Sequence, residues 1–555
     1  MTSTYRRRQV QIAEVLVRYE LGHLLEVFGL EGFVSMERRL LRRGPVRTRP
    51  ESLRMALEEL GPTFIKLGQA LSTRADLLPP DFQAELVKLQ DDTVRVPVDV
   101  IEEIVTSELG AGTTKVFASF DSEPLAAASI GQVHAATLHD GTEVVVKVRR
   151  PGAAEEVELD LEIVQNLAAR ASRRWKEAEY WDVNGLAKDF TDTLRSELDY
   201  LQEARSAEQF AANFAADPAV HIPSVYPELT TSRLITLERI RGLKITDLAG
   251  LDAAGVDRAA LAEGLAHTVA KGVLVDGYYH GDPNPGNFFV EPGGRIGIVD
   301  FGRVGRIDDN LRSGLSRLLM ALIQKDPDRL TSALLALGPT ATGDRGGLRQ
   351  DLSALLSRYG SDTLGEVPIG AAINDVMDVV RRHKLIIPPD LALLFAVIVM
   401  DESITEQLDP DFRFDDALTP YVQRHLASAL SPAALARRAE QFGIEVAELA
   451  GELPGQLHRL LDVIGDGGFE VHLRTDELQT LVGRVERLGN RLAISILAAA
   501  VIDGLSELAA HNSRGRPTHK QMLTAGVAAL TSLSAYAAWR RSAASALLGI
   551  SNGRV

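Results

Sequence analysis

Two short apolar runs joined by a glycine-rich turn are the feature that most constrains how this chain folds. Residues 287–290 and 295–299 are strand-like, and the turn at 292–294 is Pro-Gly-Gly, a composition typical of hairpin turns. Such a hairpin places Asn287 at its entrance and Asp300 at its exit. Two oxygen-bearing side chains are therefore predicted to lie close together.

The segment 280–287, which leads into this hairpin, contains a third such residue, Asp282. Its Gly, Pro and Asn content is equally typical of a surface turn. Phosphoryl transfer, however, requires an Asp beside the attacking hydroxyl, an Asn on magnesium and a second Asp on magnesium. Asp282 is the predicted catalytic residue in this set, and Asn287 and Asp300 are the predicted Mg²⁺ ligands.

A lysine that interrupts a β-branched run is the next candidate. Residues 143–148 have the composition of a strand that contains Lys147, and the Asp-Gly pair at 140–141 predicts a hairpin with residues 132–138. An unpaired buried ammonium is costly, so Lys147 should have anionic partners. The alternative is a lysine at an exposed strand edge.

Acidic residues in a helical pattern that begins near Val183 are the candidate partners. Asp199 and Glu203 are four residues apart and are predicted to share one helix face, whereas Glu197 lies on a neighbouring stripe. We predict that Glu203 pairs with Lys147, and that Glu197 and Asp199 face another cation. On most helices such acids form only a solvated face.

With these residues in place, the chain resembles the UbiB/AarF family of atypical kinases, which is linked to isoprenoid-quinone (ubiquinone-type) biosynthesis and lipid homeostasis. The family's lysine-X-glycine-glutamine motif occurs at 66–69, its alanine-rich nucleotide loop at 126–134 and its glutamate-X-aspartate motif at 197–199. With the catalytic and metal motifs, the resemblance spans roughly the first three quarters of the chain.

The resemblance implies ATP or ADP and Mg²⁺ as cofactors, with Lys147 on the phosphates. Gly131 is the single glycine of the nucleotide loop, where a typical kinase loop has three, so phosphate contacts should be fewer or differently placed. By resemblance, this loop alters nucleotide preference and restrains protein phosphorylation. The implied nucleotide-binding residues are Ala126, Ala127, Ala128, Ser129, Ile130, Gly131, Val133, Lys147 and, at the hinge, Glu238 and Ile240.

Besides the nucleotide loop, the helix that carries Lys66 and Gln69 also distinguishes this chain from typical kinases. Its polar patch beside Gly68 is, from pattern alone, more typical of a surface face. The resemblance implies instead that this segment packs over the active site as a regulatory lid, with Lys66 meeting Glu197 and Asp199. Such a lid would block an extended peptide but admit a small or membrane-borne substrate.

The amino-acid composition limits the classes of molecule that this chain is expected to bind. The net charge of -16 and the pI of about 5.3 argue against general nucleic-acid binding, and the absence of cysteine excludes disulfides and thiolate metal sites. Arginines near the N-terminus are not followed by an uncharged hydrophobic core, so a secretory signal is not indicated. We expect a protein on the cytoplasmic side of a membrane that is not secreted.

The predicted fold class is α+β: a helix-rich, two-lobed, protein-kinase-like fold with helical segments at both ends. Residues 391–400 are apolar but too short to span a bilayer, and predict a core helix. The predicted units are an N-terminal helical extension (1–95), an N-lobe (96–240), a C-lobe (241–426), a helical connector (427–490) and a C-terminal helical pair (491–555).

The C-terminal pair is a candidate membrane anchor. Residues 521–539 lack formal charges but are rich in Ala, Ser and Thr. Their length just reaches the roughly 20 residues needed to span a bilayer, and their hydrophobicity is marginal. Both a spanning helix and a soluble or interfacial helical pair remain open, and we expect membrane association, peripheral or anchored, through this segment.

The function expected from these features is that of an atypical kinase or ATPase that supports isoprenoid-quinone biosynthesis or membrane lipid homeostasis. Its expected partners are a nucleotide, a membrane lipid or isoprenoid-quinone precursor, and lipid-biosynthetic proteins. Two alternatives remain open. One is a small-molecule phosphotransferase of the aminoglycoside-kinase type, which would not explain the motif at 66–69. The other is a non-catalytic, nucleotide-dependent scaffold.

Overall fold

The computed structural model describes residues 3–33, 48–89, 95–175, 182–282, 284–338, 344–358 and 369–413, together with 417, 420 and 421. The predicted connector at 427–490 and the C-terminal pair at 491–555 lie outside these residues. No finding tests the predicted domain boundaries, which stay predictions.

The N-terminal extension is helical, as predicted. Its first helix buries Ile12, Val15 and Leu16 on one stripe, the spacing of an amphipathic helix that packs on a core. Gly68 allows close helix packing, because a Cβ there would lie 2.2 Å from Leu89 Cδ1. The helices are α1 (Ser3–Arg18), α2 (His23–Phe28), α3 (Arg49–Leu60), α4 (Pro62–Ser72) and α5 (Pro80–Leu86).

A four-stranded antiparallel sheet in the order β1-β2-β3-β5 follows two further helices. Val144, Val146 and Val148 on β3 are fully buried in one cluster with Ile101. Because side chains alternate across a strand, Lys147 points to the opposite face. The elements are α6 (Val98–Leu109), α7 (Thr113–Val116), β1 (Ser119–Ala127), β2 (Gly131–Thr137), β3 (Glu143–Arg149) and β5 (Leu234–Glu238).

Three helices follow β3 in the chain: α8 (Ala153–Arg174), α9 (Val183–Glu197) and α10 (Tyr200–Phe214). Of these, α10 packs against β5, whereas α8 and α9 pack with the N-terminal helices. The prediction of one continuous helix through Asp199 and Glu203 is wrong. Asp199 has extended backbone angles (φ -105°, ψ 97°), and its side chain accepts a hydrogen bond from the Leu201 amide. Asp is favoured at this N-cap position because its carboxylate satisfies an otherwise unpaired amide of the first turn. Asp199 and Glu203 therefore do not share a face of one helix.

The predicted hairpin around residues 292–294 is present. Strands β8 and β9 pair antiparallel, with Phe288 opposite Ile298, within a second sheet of order β4-β9-β8-β6, and β7 pairs with β10. These elements are β4 (Val220–His221), β6 (Leu243–Lys244), α11 (Leu248–Ala253), α12 (Arg258–Lys271), a π-helix (Gly272–Asp276), β7 (Tyr278–His280), β8 (Phe288–Val290), β9 (Ile296–Ile298) and β10 (Val304–Arg306).

Helices complete the described part of the chain: α13 (Asp309–Ile323), α14 (Pro327–Leu337), α15 (Arg345–Arg358), α16 (Ile369–Arg382) and α17 (Pro389–Leu408). Residues 391–400 lie within α17, where Leu391, Leu394 and Val397 are buried in the helical core, so the core-helix prediction is confirmed. Within the described residues, no helix is both long and apolar enough to cross a bilayer. The helix-rich α+β prediction is also confirmed.

Candidate active site

Lys147 lies at the centre of the predicted site. Its Nζ is 3.0 and 2.9 Å from the two carboxylate oxygens of Glu203, and 3.5 Å from Oδ1 of Asp300. Lys147 projects from β3, Glu203 from the first turn of α10, and Asp300 follows β9. The structure therefore brings together a strand lysine, a helix carboxylate and a loop carboxylate that are distant in sequence.

The opposite charges in this cluster shift one another's pKa values. Burial alone would lower the pKa of Lys147, but the negative charges of Asp300 and Glu203 outweigh burial and raise it well above its ordinary value. The Lys147 charge, with a smaller contribution from Lys66, lowers the pKa of Asp300 to about 2. Burial raises the pKa of Glu203, against the attraction of Lys147. Asp300 is therefore ionised across the working pH range.

Asp300 has a left-handed backbone with φ 62°, a conformation that non-glycine residues rarely adopt and that often marks a functional site. Two contacts hold it. Its Oδ1 accepts a hydrogen bond from the Gly302 amide at 3.2 Å, and its carbonyl lies 2.8 Å from Nε2 of His280. About half of the Asp300 side chain (47%) is exposed, so its carboxylate remains accessible to a ligand.

Asp282 and Asn287 are in direct contact. Nδ2 of Asn287 donates to the carbonyl of Asp282 at 3.0 Å and to its Oδ2 at 3.1 Å, so the amide oxygen of Asn287 is directed elsewhere. An amide oxygen and an ionised carboxylate suit a hard cation such as Mg²⁺, so Asn287 and Asp300 fit the predicted metal. In the described ranges, no group of three or more His, Cys, Asp or Glu side chains forms a metal cluster.

The alanine-rich segment forms the end of β1 and the turn into β2. Ala126 is exposed, Ala127 and Ala128 are half-buried, and Ser129 and Ile130 are buried. The Ala128 amide donates to the Gly131 carbonyl at 2.8 Å, which closes the turn. The Ser129 hydroxyl is buried and has no hydrogen-bond partner among the described residues.

Gly131 is required by its neighbour Tyr200. A Cβ at this position would lie 2.2 Å from the Tyr200 hydroxyl and 3.1 Å from the Val148 carbonyl. Tyr200 is fully buried, and its ring lies 5.3 Å from Nζ of Lys147. The single glycine of the loop therefore lets an aromatic ring pack beside the active-site lysine.

Gly131→Ala is expected to destabilise the fold by about 1–3 kcal/mol, the usual cost of overpacking, and to weaken nucleotide binding because Tyr200 must move. Denaturant unfolding and nucleotide titration measure the two effects. Tyr200→Phe removes the obstructing hydroxyl, which is buried and has no hydrogen-bond partner in the part of the chain that the structure describes, so the double variant should recover most of the lost stability. A double variant as unstable as Gly131→Ala would contradict this explanation.

The predicted hinge residues are close to the sheet but differ in their contacts. The Glu238 carboxylate accepts hydrogen bonds from the Ser224 amide and hydroxyl, so its side chain is engaged within the protein. Ile240 packs on β9, where a Cβ on Gly297 would lie 2.5 Å from its Cγ2. Val133 is directly opposite Lys147 in the β2–β3 register and shares its face of the sheet. No finding tests a role in nucleotide binding for these residues, which stays a prediction.

The predicted lid helix is α4. Nζ of Lys66 lies 3.4 Å from the Glu197 carboxylate, so Lys66 meets one acid of the glutamate-X-aspartate motif, and its charge also acts on Asp300. Asp199, the other acid, caps α10. Gln69 donates to the Leu89 carbonyl at 3.2 Å and ties α4 to the end of the α5 segment. A regulatory role for these four residues stays a prediction.

Sequence reasoning missed two residues that position this site. Tyr200 packs against Lys147, and His280 connects the two aspartates: its Nε2 faces the Asp300 carbonyl, and its Nδ1 accepts a hydrogen bond from the Asp282 amide at 3.3 Å. His280 stands in the motif that predicted Asp282, and that adjacency was the available signal. No local pattern indicates that Tyr200 packs on Lys147.

The amino-acid sequence of this chain is similar to those of known kinase-like proteins. Residues 88–334 match the family described as the ABC1 atypical kinase-like domain, and residues 352–413 match the UbiB helical domain. A probable protein kinase UbiB of Xanthomonas oryzae is 31% identical over 520 residues, which cover 90% of this chain and 93% of that protein. A probable protein kinase UbiB of Marinobacter nauticus is 31% identical over 541 residues, which cover 94% and 98%.

Some relatives are described only as uncharacterized proteins. An uncharacterized protein of Synechocystis is 33% identical over 504 residues, which cover 89% of this chain and 84% of that protein. Among solved structures, a Mycobacterium tuberculosis protein in complex with erythromycin matches with 26% identity and a TM-score of 0.45, covering 64% of this chain and 90% of that chain.

Proposed function

This chain belongs to the ABC1/UbiB family of atypical kinase-like proteins, and from this premise we propose that it is an atypical kinase or ATPase that uses Mg-ATP. The observation that carries the proposal is the position of Lys147, whose Nζ lies between the carboxylates of Glu203 and Asp300. That cluster presents one cation and one accessible anion to the same site, as phosphoryl transfer requires.

ATP bound with Mg²⁺ would supply the phosphoryl group and the cation that neutralises its charge. Lys147 would hold the phosphate oxygens, and Glu203 fixes its ammonium in place. Asn287 and Asp300 would hold the metal through oxygen atoms. Asp282, which contacts Asn287, would orient the attacking hydroxyl of water or substrate. Positioning of this kind supplies up to about 7–11 kcal/mol of barrier reduction when groups are well oriented.

The lid helix supports a substrate other than an extended peptide. Lys66 on α4 approaches Glu197 and acts electrostatically on Asp300, the proposed metal ligand. We therefore propose ATP hydrolysis, or phosphorylation of a small or membrane-borne molecule, in support of isoprenoid-quinone biosynthesis or membrane lipid homeostasis. We also propose membrane lipid, quinone precursor and lipid-biosynthetic proteins as partners, and a location at the cytoplasmic face of a membrane.

ATP turnover by the full chain with Mg²⁺ tests this proposal. It should be measured with and without lipid vesicles and a phenolic quinone-precursor mimic, with Asp282→Asn and Asp300→Asn as controls. We expect hydrolysis that vesicles or the phenol stimulate, without a phosphorylated protein. A phosphorylated hydrophilic acceptor would instead indicate a small-molecule phosphotransferase. Nucleotide binding with no turnover under any condition would indicate a scaffold.

A further inference from the structure

A fully buried carboxyl group lies behind the proposed catalytic loop. Asp401 on α17 is 1% exposed, and neither of its carboxylate oxygens has a hydrogen-bond partner among the described residues. A buried polar group without a partner is costly and is rare in folded proteins. The Asp401 carboxylate therefore needs a bound ligand, a proton or both to offset the cost of its burial.

Asp401 faces a small cavity. The walls come from α10, α12, the π-helix, β7, β8, β9 and α17, and include Thr268, Gly272, His280 and Phe288. The cavity volume is about 20 Å³, and about 10–15 Å³ is enough for one water molecule. Among the lining residues, Asp401 has two carboxylate oxygens without a partner in the described part of the chain, and the Thr268 hydroxyl, which donates to the Gly264 carbonyl at 2.8 Å, keeps its lone pairs.

His280 connects this cavity to the proposed catalytic residues. His280 is one of the residues that line the cavity, and its two ring nitrogens contact the backbone of Asp282 and of Asp300. In these two contacts Nε2 donates and Nδ1 accepts. A movement of the His280 ring would therefore disturb the backbone of both aspartates.

We propose that Asp401 is a positioning residue that holds one buried water molecule against the His280 segment, so that α17 fixes the placement of Asp282 and Asp300. The water site itself rests on the cavity and the unpaired carboxyl. Its effect on turnover rests on the proposed ATP-dependent function.

Asp401 must be neutral in this arrangement. Burial raises its pKa well above the ordinary value. The other ionisable groups on the cavity wall are His280 and Tyr279, both from β7, and the remaining wall residues are apolar or uncharged. The folded state binds the Asp401 proton more tightly than the unfolded chain does. Proton binding therefore stabilises the folded state at low pH, and this stabilisation is lost as pH rises.

Three variants test the proposal. Asp401→Leu fills the cavity and removes the costly carboxyl, so it should raise the Tm by about 2–4 °C and lower kcat about tenfold, with less than a twofold change in the KM for ATP. Asp401→Asn keeps a neutral hydrogen-bonding group and should restore kcat to near the wild-type value. Thr405→Val is the matched control, since Thr405 is equally buried on α17, bonds only to its own helix and lies outside the cavity.

A gain in stability together with a loss of turnover is an outcome that a purely structural role does not predict. Wild-type turnover in Asp401→Leu would overturn the positioning role, and so would an Asp401→Asn variant as impaired as Asp401→Leu. The stability difference between Asp401→Asn and wild type should grow as pH rises, whereas Thr405→Val should show no such trend. If the stability difference between Asp401→Asn and wild type does not change with pH, the Asp401 carboxyl is not neutral in the folded protein.

Hydrogen exchange separates this inference from the proposed function. Amides of residues 278–282 should exchange faster in Asp401→Leu than in wild type or Asp401→Asn, because the water that supports His280 is lost. This readout needs no ATP. If wild type turns over no ATP but the exchange and pH results hold, the proposed function fails and the water site stands. If turnover is present and exchange is unchanged, the inference fails alone.

Discussion

Asp300→Asn is expected to abolish metal-dependent nucleotide binding and to lower ATP turnover by about 100-fold to 1,000-fold, the range that follows loss of one major electrostatic contact in an active site. The Lys147 charge holds the pKa of Asp300 near 2, so the carboxylate is ionised at any working pH. An amide keeps the shape but removes the charge that binds Mg²⁺. Nucleotide titration with and without Mg²⁺, followed by steady-state turnover, measures both effects.

Asp282→Asn is the informative comparison, because it should spare nucleotide binding and lose turnover. An asparagine there can still accept the hydrogen bond that Asn287 donates to Asp282, so the loop should keep its shape. Asp192→Asn, which alters an exposed carboxylate paired with Lys188, should change neither quantity. Equal loss of binding in Asp282→Asn and Asp300→Asn would show that the two aspartates do not have separate roles.

Local patterns predicted those parts of the site that depend on neighbouring residues. The Pro-Gly-Gly turn at 292–294 predicted the hairpin that carries Asn287 and Asp300, and the observed register pairs Phe288 with Ile298. The lysine in a β-branched strand predicted a buried cation, and Glu203 is its partner. In both cases a short-range signal, either turn chemistry or the cost of burying a charge, was strong enough to fix the structure.

The parts that were missed have two causes: one helix boundary was ambiguous, and two features depend on contacts between distant segments. Asp199 could extend a helix or begin one, and the helical period alone does not distinguish these outcomes; the observed N-cap separates Glu197 from Glu203. The need for Gly131 comes from the Tyr200 ring. Asp401 looks like an ordinary polar residue of a helix until packing buries it. Neither the packing of Tyr200 beside Gly131 nor the burial of Asp401 has a local sequence signal.

Glu203→Leu is expected to reduce the free energy of unfolding by about 3 kcal/mol, toward the low end of the 3–5 kcal/mol usual for a buried ion pair that loses one member. The Glu203 side chain is 4% exposed and that of Lys147 is 17% exposed, so water cannot replace the lost partner fully. Asp300, 3.5 Å from Lys147, compensates in part. Turnover should also be lost, because Lys147 is no longer held in position.

Lys147→Met combined with Glu203→Leu separates stability from function. The double variant leaves no buried charge unpaired on β3 or α10, so it should recover most of the lost stability, as apolar replacements of buried pairs often do. It should remain inactive, because no cation is left to hold the phosphates. The exposed pair Lys188–Asp192 is the control, and its removal should change stability by less than about 0.5 kcal/mol. A double variant as unstable as Glu203→Leu would mean that the Lys147–Glu203 pair stabilises the fold directly. A double variant that is both stable and active would show that Lys147 has no role in the proposed mechanism.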